Sequence, residues 1–149
     1  MTVTRRQLRE WAVQMLTAAD LNPSESVDQV IADFWEQRRT LDEEDGGDGG
    51  RLASVKRRAF AEERVRGVTE HLDELDAVIA RLLQDGGWDL SRLGTVERAV
   101  LRMGVWEMKF TDVPRPVIMN EAVDLANWFS TPKARTLVNG VLSHFAKEI

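Results

Sequence analysis

The chain has 149 residues, 43% of them apolar, with 25 acids against 20 bases, no cysteine and no tyrosine. That length and apolar content supply one core without staples, while the absence of cysteine excludes disulfides, thiolate metal sites and cysteine nucleophiles. A net charge of −5 does not hold a polyanion by overall electrostatics, so any nucleic-acid role must rest on a local patch or on charge supplied by a partner.

Helical periodicity dominates from the start. Over residues 5–20, Leu8, Trp11, Ala12, Met15, Leu16 and Ala19 recur at spacings of three and four, which predicts an amphipathic helix. Asn22 and Pro23 read as an N-cap and first helical residue, with Glu25 completing a capping-box pattern. The helix that follows is expected to bury Val27, Val30, Ile31, Phe34 and Trp35. Between residues 41 and 50 the pattern collapses into Asp42, Glu43, Glu44, Asp45 and Asp48 around four glycines, a composition expected to give a flexible acidic loop. Neither flank can build its own core, so the loop lies inside one domain spanning 1–149.

A basic stretch (Arg51, Lys56, Arg57, Arg58) leads into a helix through Phe60, Val65 and Val68. Leu72, Leu75, Ile79 and Leu82 mark the next helix, stopped by Asp85, Gly86 and Gly87. Residues 95–110 are mostly apolar and predict the most buried helix, with Trp106 in the core. Pro114 and Pro116 break the chain and start a helix through Ile118, Ala122, Leu125 and Phe129. Thr131 and Pro132 read as a cap and first position, opening a last helix that buries Val138, Val141, Leu142 and Phe145. The expected architecture is all-α: a single compact bundle of about seven helices in two packed subdomains, with short loops. No run of about 18 uncharged apolar residues occurs, so no membrane span is expected. The N-terminus does not resemble a signal peptide, and the chain is expected to be cytoplasmic.

Chemistry-bearing motifs are scarce. His71 and His144 stand apart without a second ligand at metal spacing. The carboxylates fall on loops and polar faces rather than in acid–base pairs, and neither a phosphate-cradling loop nor a Gly-x-Ser-x-Gly elbow occurs. No enzyme activity, cofactor or metal is expected. The five tryptophans fall mostly on apolar stripes and are expected in the core rather than as base-stacking platforms, Trp88 in its Gly-rich turn having the weakest stripe signal. Gly140, inside the last helix, is expected to admit a close neighbouring helix, with Asn139 bonded to nearby backbone.

Four separate blocks of sequence carry a family resemblance. Residues 95–108 read Thr-Val-Glu-Arg-Ala-Val-Leu-Arg-Met-Gly-Val-Trp-Glu-Met, followed by Val113-Pro114 and by Asn120-Glu121-Ala122-Val123-Asp124-Leu125-Ala126. Residues 138–142 read Val-Asn-Gly-Val-Leu. The opening helix (Arg5, Arg6, Arg9, Glu10, Ala12, Gln14, Leu16) and the middle (Gly67-Val68, Leu75-Asp76) agree as well. In this order and spacing the chain resembles the transcription antitermination protein NusB family over nearly its whole length. The resemblance implies an all-α fold and a factor that binds the boxA element of ribosomal RNA transcripts. It also implies partners: the ribosomal protein NusE, and the antitermination complex of other Nus factors on RNA polymerase.

Arg5, Arg6 and Arg9 then become candidate RNA contacts. Arg5 and Arg9 lie one turn apart, and arginine serves single-stranded RNA by bidentate phosphate contacts and by stacking. All three are expected on the polar side of the first helix. Lys133 and Arg135, opening the last helix, are further candidates, and Glu97 is a candidate partner contact that also suits a helix N-terminus. The chain departs from the family pattern at Leu137, where an aromatic residue is usual, and in the turn before it, which is usually acidic or polar. Lost stacking there is offset by added positive charge. The resemblance leaves two other readings to weigh. One is the NusB-like domain of ribosomal RNA cytosine methyltransferases, which would need a further catalytic domain after Ile149. The other is a scaffold of the same fold that binds protein without specific RNA recognition.

Overall fold

The computed structural model describes residues 3–44, 55–129 and 131–149. Among them are seven α-helices, one short 3-10 turn and no strand. The helices are α1 (Arg5–Leu21), α2 (Val27–Glu44), α3 (Val55–Glu70), α4 (Leu72–Asp85), α5 (Thr95–Phe110), α6 (Arg115–Phe129) and α7 (Pro132–Glu148), and the 3-10 turn is Leu90–Arg92. The all-α expectation holds. The chain divides into two compact units, Met1–Arg66 and Gly67–Ile149, with α3 running through the division.

In the first unit, α1 opens on a capping box. The Thr4 hydroxyl accepts from the Gln7 N–H, and the Gln7 side-chain oxygen accepts from the Thr4 N–H, both at 3.1 Å. The buried stripe is close to the predicted one: Leu8, Trp11, Ala12, Met15 and Leu16, joined by Val13. The helix junction differs from expectation. Asn22 closes α1, with its backbone and side-chain N–H groups donating to the carbonyls of the preceding turn. Ser26 opens α2 by accepting from the Gln29 N–H at 3.1 Å. An asparagine serves either helix end, and here the open carbonyls behind it take its donors.

Val30, Ile31 and Trp35 of α2 are buried. Trp35 meets Trp11 and Phe34 edge-on, with ring centroids 5.6 and 5.3 Å apart. The α2 helix continues through Glu44, past the expected loop start at 41. Leucine and glutamate sustain a helix, whereas the glycines that break one begin only at Gly46. The rest of the predicted acidic loop, residues 45–50, lies outside the described residues.

The second unit is built around α5, which is buried without interruption from Ala99 to Met108 and packs against α4, α6 and α7. Two glycines admit its neighbours. A Cβ at Gly67 of α3 would overlap the Trp106 indole, and a Cβ at Gly104 would stand 2.9 Å from the Leu142 side chain of α7. The close-approach role expected of Gly140 therefore falls to Gly104 and Gly67, for a Cβ at Gly140 would meet nothing within 4 Å. The largely buried Arg102 donates two hydrogen bonds to the Asp76 carboxylate of α4, at 2.7 and 2.8 Å. This planar fork fixes the alignment of the two helices.

Other predicted boundaries hold. Gly86 and Gly87 stop α4, Gly87 at a φ of +79° that favours glycine. Thr131 caps α7 by accepting from the Ala134 N–H at 3.3 Å, with Pro132 in the first position. Ile118, Ala122 and Leu125 of α6 are buried, as are Val138, Val141, Leu142 and Phe145 of α7. The tryptophans divide: Trp11, Trp35 and Trp106 are buried, whereas Trp88 is 44% and Trp128 73% exposed. Phe110, expected in the buried run, is also half out in solvent, its ring stacked on His71 at 4.3 Å. It stands at the last position of α5, where the helix leaves the core.

Two predictions follow the packing and the surface pairs. Gly67→Ala should destabilise the protein by about 1–3 kcal/mol through overpacking against Trp106, even though alanine is the better helix former by about 1 kcal/mol. Trp106→Ala alone should cost about 3–5 kcal/mol. In the Trp106→Ala background the Gly67→Ala change should become neutral or stabilising, and a denaturant double-mutant cycle reads that coupling directly. At the surface, two hydrogen bonds from Arg81 hold the Glu148 carboxyl below its ordinary value of 4.5. Its contribution to stability is therefore present above the unfolded-state pKa and lost as pH falls through the folded one. Arg81→Gln should move the Glu148 titration upward in an NMR carboxyl titration. An unchanged midpoint would show that the pair does not persist in solution.

Candidate nucleic-acid interface

The Thr4–Gln7 box fixes where α1 begins, and so puts Arg5 and Arg6 in its first two positions. Arg5 and Arg6 are exposed. Arg9 is not: it is only 3% exposed, which corrects its expected place on the polar side. The cause is a ring that periodicity did not associate with α1. Phe60 of α3 takes the Arg5 and Arg9 guanidinium carbons at 5.6 and 5.2 Å from its centroid, and that of Arg64 at 3.5 Å. The negative face of an aromatic ring offsets part of the desolvation of a guanidinium, so burying Arg9 is tolerable there.

The cluster has further members. Arg64 is buried and donates to the Phe60 carbonyl at 3.1 Å. Arg57 donates to the Val3 carbonyl just before α1, tying the start of α1 to α3. Arg58 lies over the Trp35 ring at 5.3 Å and Arg38 over Trp11 at 5.1 Å. The Trp35 indole N–H donates to Glu62 at 2.8 Å. The first unit of an acidic chain therefore concentrates guanidinium groups around three aromatic rings. Phe60, Arg57 and Arg64 were missed as site residues in the sequence. The signal available was the basic run at 56–58 and the Thr-x-x-Gln box, which together mark α1 and α3 as arginine-bearing starts.

The remaining candidates lie in the second unit. Lys133 and Arg135 are exposed in the first turn of α7. Glu97 is half-buried in the first turn of α5. Its carboxylate folds back over the N-cap Gly94, where a Cβ would collide with it, an arrangement suited to the positive end of a helix. No group of three or more His, Cys, Asp or Glu side chains that could hold a metal ion occurs among the described residues. None of their helices is long and apolar enough to cross a membrane.

Comparison with known proteins agrees with this geometry. The sequence model of the NusB family matches residues 6–147. The chain is 38% identical over 146 residues to the transcription antitermination protein NusB of Bacillus subtilis, covering 97% of this chain and 96% of that one. It is 36% identical to the protein of the same description from Nitratiruptor, covering 98% and 94%. Among solved structures, NusB of T. maritima superposes with a TM-score of 0.81 at 30% identity, covering 99% of this chain and 94% of that one. A structure of the antitermination factors NusB and NusE in complex with double-stranded RNA matches with a TM-score of 0.74 at 28% identity, covering 97% of each chain. With seven helices among its described residues, an arginine-rich opening and a match of this extent, the chain belongs to the NusB family.

Proposed function

We propose that the chain is a transcription antitermination factor that binds boxA-type single-stranded RNA of ribosomal RNA transcripts together with the ribosomal protein NusE. It does so as one component of the complex that other Nus factors form on RNA polymerase. It acts in the cytoplasm, where transcription runs, and catalyses no reaction. The observation that carries this reading is the set of arginines around Phe60 at the capped start of α1, in a chain whose net charge is −5. Such a chain has no general affinity for polyanions, so a local concentration of guanidinium groups is what can meet phosphates. Relatives of the chain are named as antitermination proteins, and one matching structure holds NusB with NusE and RNA.

The roles within the cluster differ. Arg5 and Arg6, exposed in the first turn of α1, make the phosphate contacts, and Lys133 and Arg135 make others from the second unit. Arg9 works through Phe60: it holds the ring, and with it Arg5, in place. Glu97 faces NusE from the start of α5. The domain over 1–149 works as one RNA-binding module.

The chain alone should bind boxA RNA weakly, and more tightly with NusE, whose charge joins the footprint. A titration with and without the partner decides the matter; a partnered protein with no preference for boxA over scrambled RNA would leave a protein-binding scaffold instead. Arg6→Ala should weaken boxA and scrambled RNA alike, because phosphate contacts carry no sequence, and flatten the salt dependence by about 0.7 in slope for a lost contact. Its stability should stay within about 0.5 kcal/mol of the parent. Arg9→Ala should instead lower stability, by about 1–2 kcal/mol if the cation over Phe60 is desolvated. Arg9→Ala with unchanged stability and a flattened salt slope would make Arg9 a direct contact.

A further inference from the structure

The opening turn of α3 carries charge that the contacts assigned to α1 and α7 do not use. Lys56, Arg57 and Arg58 follow one another there, and no acid appears in the helix before Glu62. Lys56 and Arg57 are exposed and Arg58 is half-buried. In a chain of net charge −5, consecutive cations at one helix start make a local positive patch. Glu62, the first acid along the helix, accepts from the Trp35 indole N–H at 2.8 Å.

Both arginines of the patch are held. Arg57 donates to the Val3 carbonyl just before α1, which brings the first turn of α3 against the start of α1. Arg58 lies over the Trp35 ring at 5.3 Å, and Trp35 meets Trp11 edge-on with centroids 5.6 Å apart. Stacking takes up only the flat face of a guanidinium. Its N–H donors lie in the plane of the group, where they can meet an anion at the same time. Lys56 and Arg57 stand one turn before Phe60 and share its side of α3, and Phe60 is the ring over which Arg5 lies. The cations that open α1 and those that open α3 are therefore neighbours on one surface of the first unit.

We propose that the opening turn of α3 is a second phosphate anchor, which holds nucleotides of the transcript that flank boxA. Arg5 and Arg6 meet phosphates of the boxA element itself. Lys56 and Arg58 take those of the strand as it continues across the first unit, while Arg57, through Val3, keeps the two helix starts together. The inference rests on the RNA-binding reading above and extends its footprint without adding sequence preference, because phosphate contacts carry no base information. A strand supplies one anion per nucleotide, which matches a row of cations fixed in place by a ring and a carbonyl. A protein partner fits less well. Among the described residues of this turn only Val55 is a large exposed apolar side chain, too little for the apolar centre of a protein interface.

The test uses the full chain with NusE and two single-stranded RNAs, boxA alone and boxA extended at both ends by arbitrary sequence, each titrated over a salt series. The extended RNA should bind the wild-type complex more tightly, with a salt slope steeper by about 1.4, from two added contacts at about 0.7 each. The double variant Lys56→Gln with Arg58→Gln should bind boxA alone as the parent does and lose that increment. Its preference for boxA over scrambled RNA should not change. Lys56→Gln by itself, at an exposed side chain whose loss leaves the fold intact, should lose about half of the increment, one contact of about 0.7. Arg66→Gln is the charge control, since Arg66 pairs with Asp28 on the same helix, roughly 12 Å along the axis from Arg58; it should keep the whole increment. An increment that is absent from the wild type, that survives the double variant, or that Arg66→Gln reduces as much as Lys56→Gln overturns the proposal and leaves boxA recognition standing. Weaker NusE binding by the double variant without RNA, with the increment intact, overturns it in favour of a protein contact. Absence of any preference for boxA in the wild-type complex would instead sink the functional reading itself.

Discussion

Two close approaches organise the second unit. Trp106 lies where a side chain on Gly67 would be, and Leu142 lies against Gly104. Each glycine lets a large apolar group of the next helix seat directly on backbone, so α3, α5 and α7 meet at distances a Cβ would forbid. An interior packed at crystal-like density has no slack to absorb an added methyl group there. The Arg102–Asp76 fork then sets how far α4 may slide along α5, because a shifted register would strand a nearly buried guanidinium. Every candidate of this unit, the half-buried Glu97 at the start of α5 as much as the exposed Lys133 and Arg135 at the start of α7, is positioned by that packing.

The first unit uses a different device. Its aromatic rings do two jobs: Trp35 meets Trp11 and Phe34 edge-on, and Trp11, Trp35 and Phe60 each carry guanidinium groups. Positive charge is thereby held on rigid surfaces rather than on freely moving side chains. Arginine suits this because its planar, weakly hydrated group stacks where an ammonium would not. A chain of net negative charge can in this way present a cationic surface at one place without becoming generally adhesive to polyanions.

Much of this was legible in the sequence, for physical reasons that can be named. The stripes of α1, α4, α6 and α7 appeared because one face of each is buried at helical period. The stops at Gly86–Gly87 and the cap at Thr131–Pro132 appeared because those residues have one dominant local use. Asn22 was misread because it bonds equally well to a helix behind it or ahead of it. Arg9 was misplaced because the ring that buries it lies more than fifty residues away, and periodicity registers charge as polar wherever it falls. Gly140 looked like a close contact because glycine in a helix has two explanations, a neighbour within the fold or one outside it, and spacing does not separate them. The exposure of Trp128 had no local signal, since its apolar character fits the α6 pattern.

The uneven placement of the tryptophans has an optical consequence. With no tyrosine in the chain, near-ultraviolet absorption and intrinsic emission come almost wholly from five indoles. Trp11 and Trp35 sit in the interior of the first unit, Trp106 in that of the second, and Trp88 and Trp128 face solvent. The chain thus carries native chromophores for each core and two more at its surface, so red-shifting of the buried indoles and quenching of the exposed ones report separate events. Unfolding of either half and occupation of its surface can be followed in the same spectrum without attaching a dye.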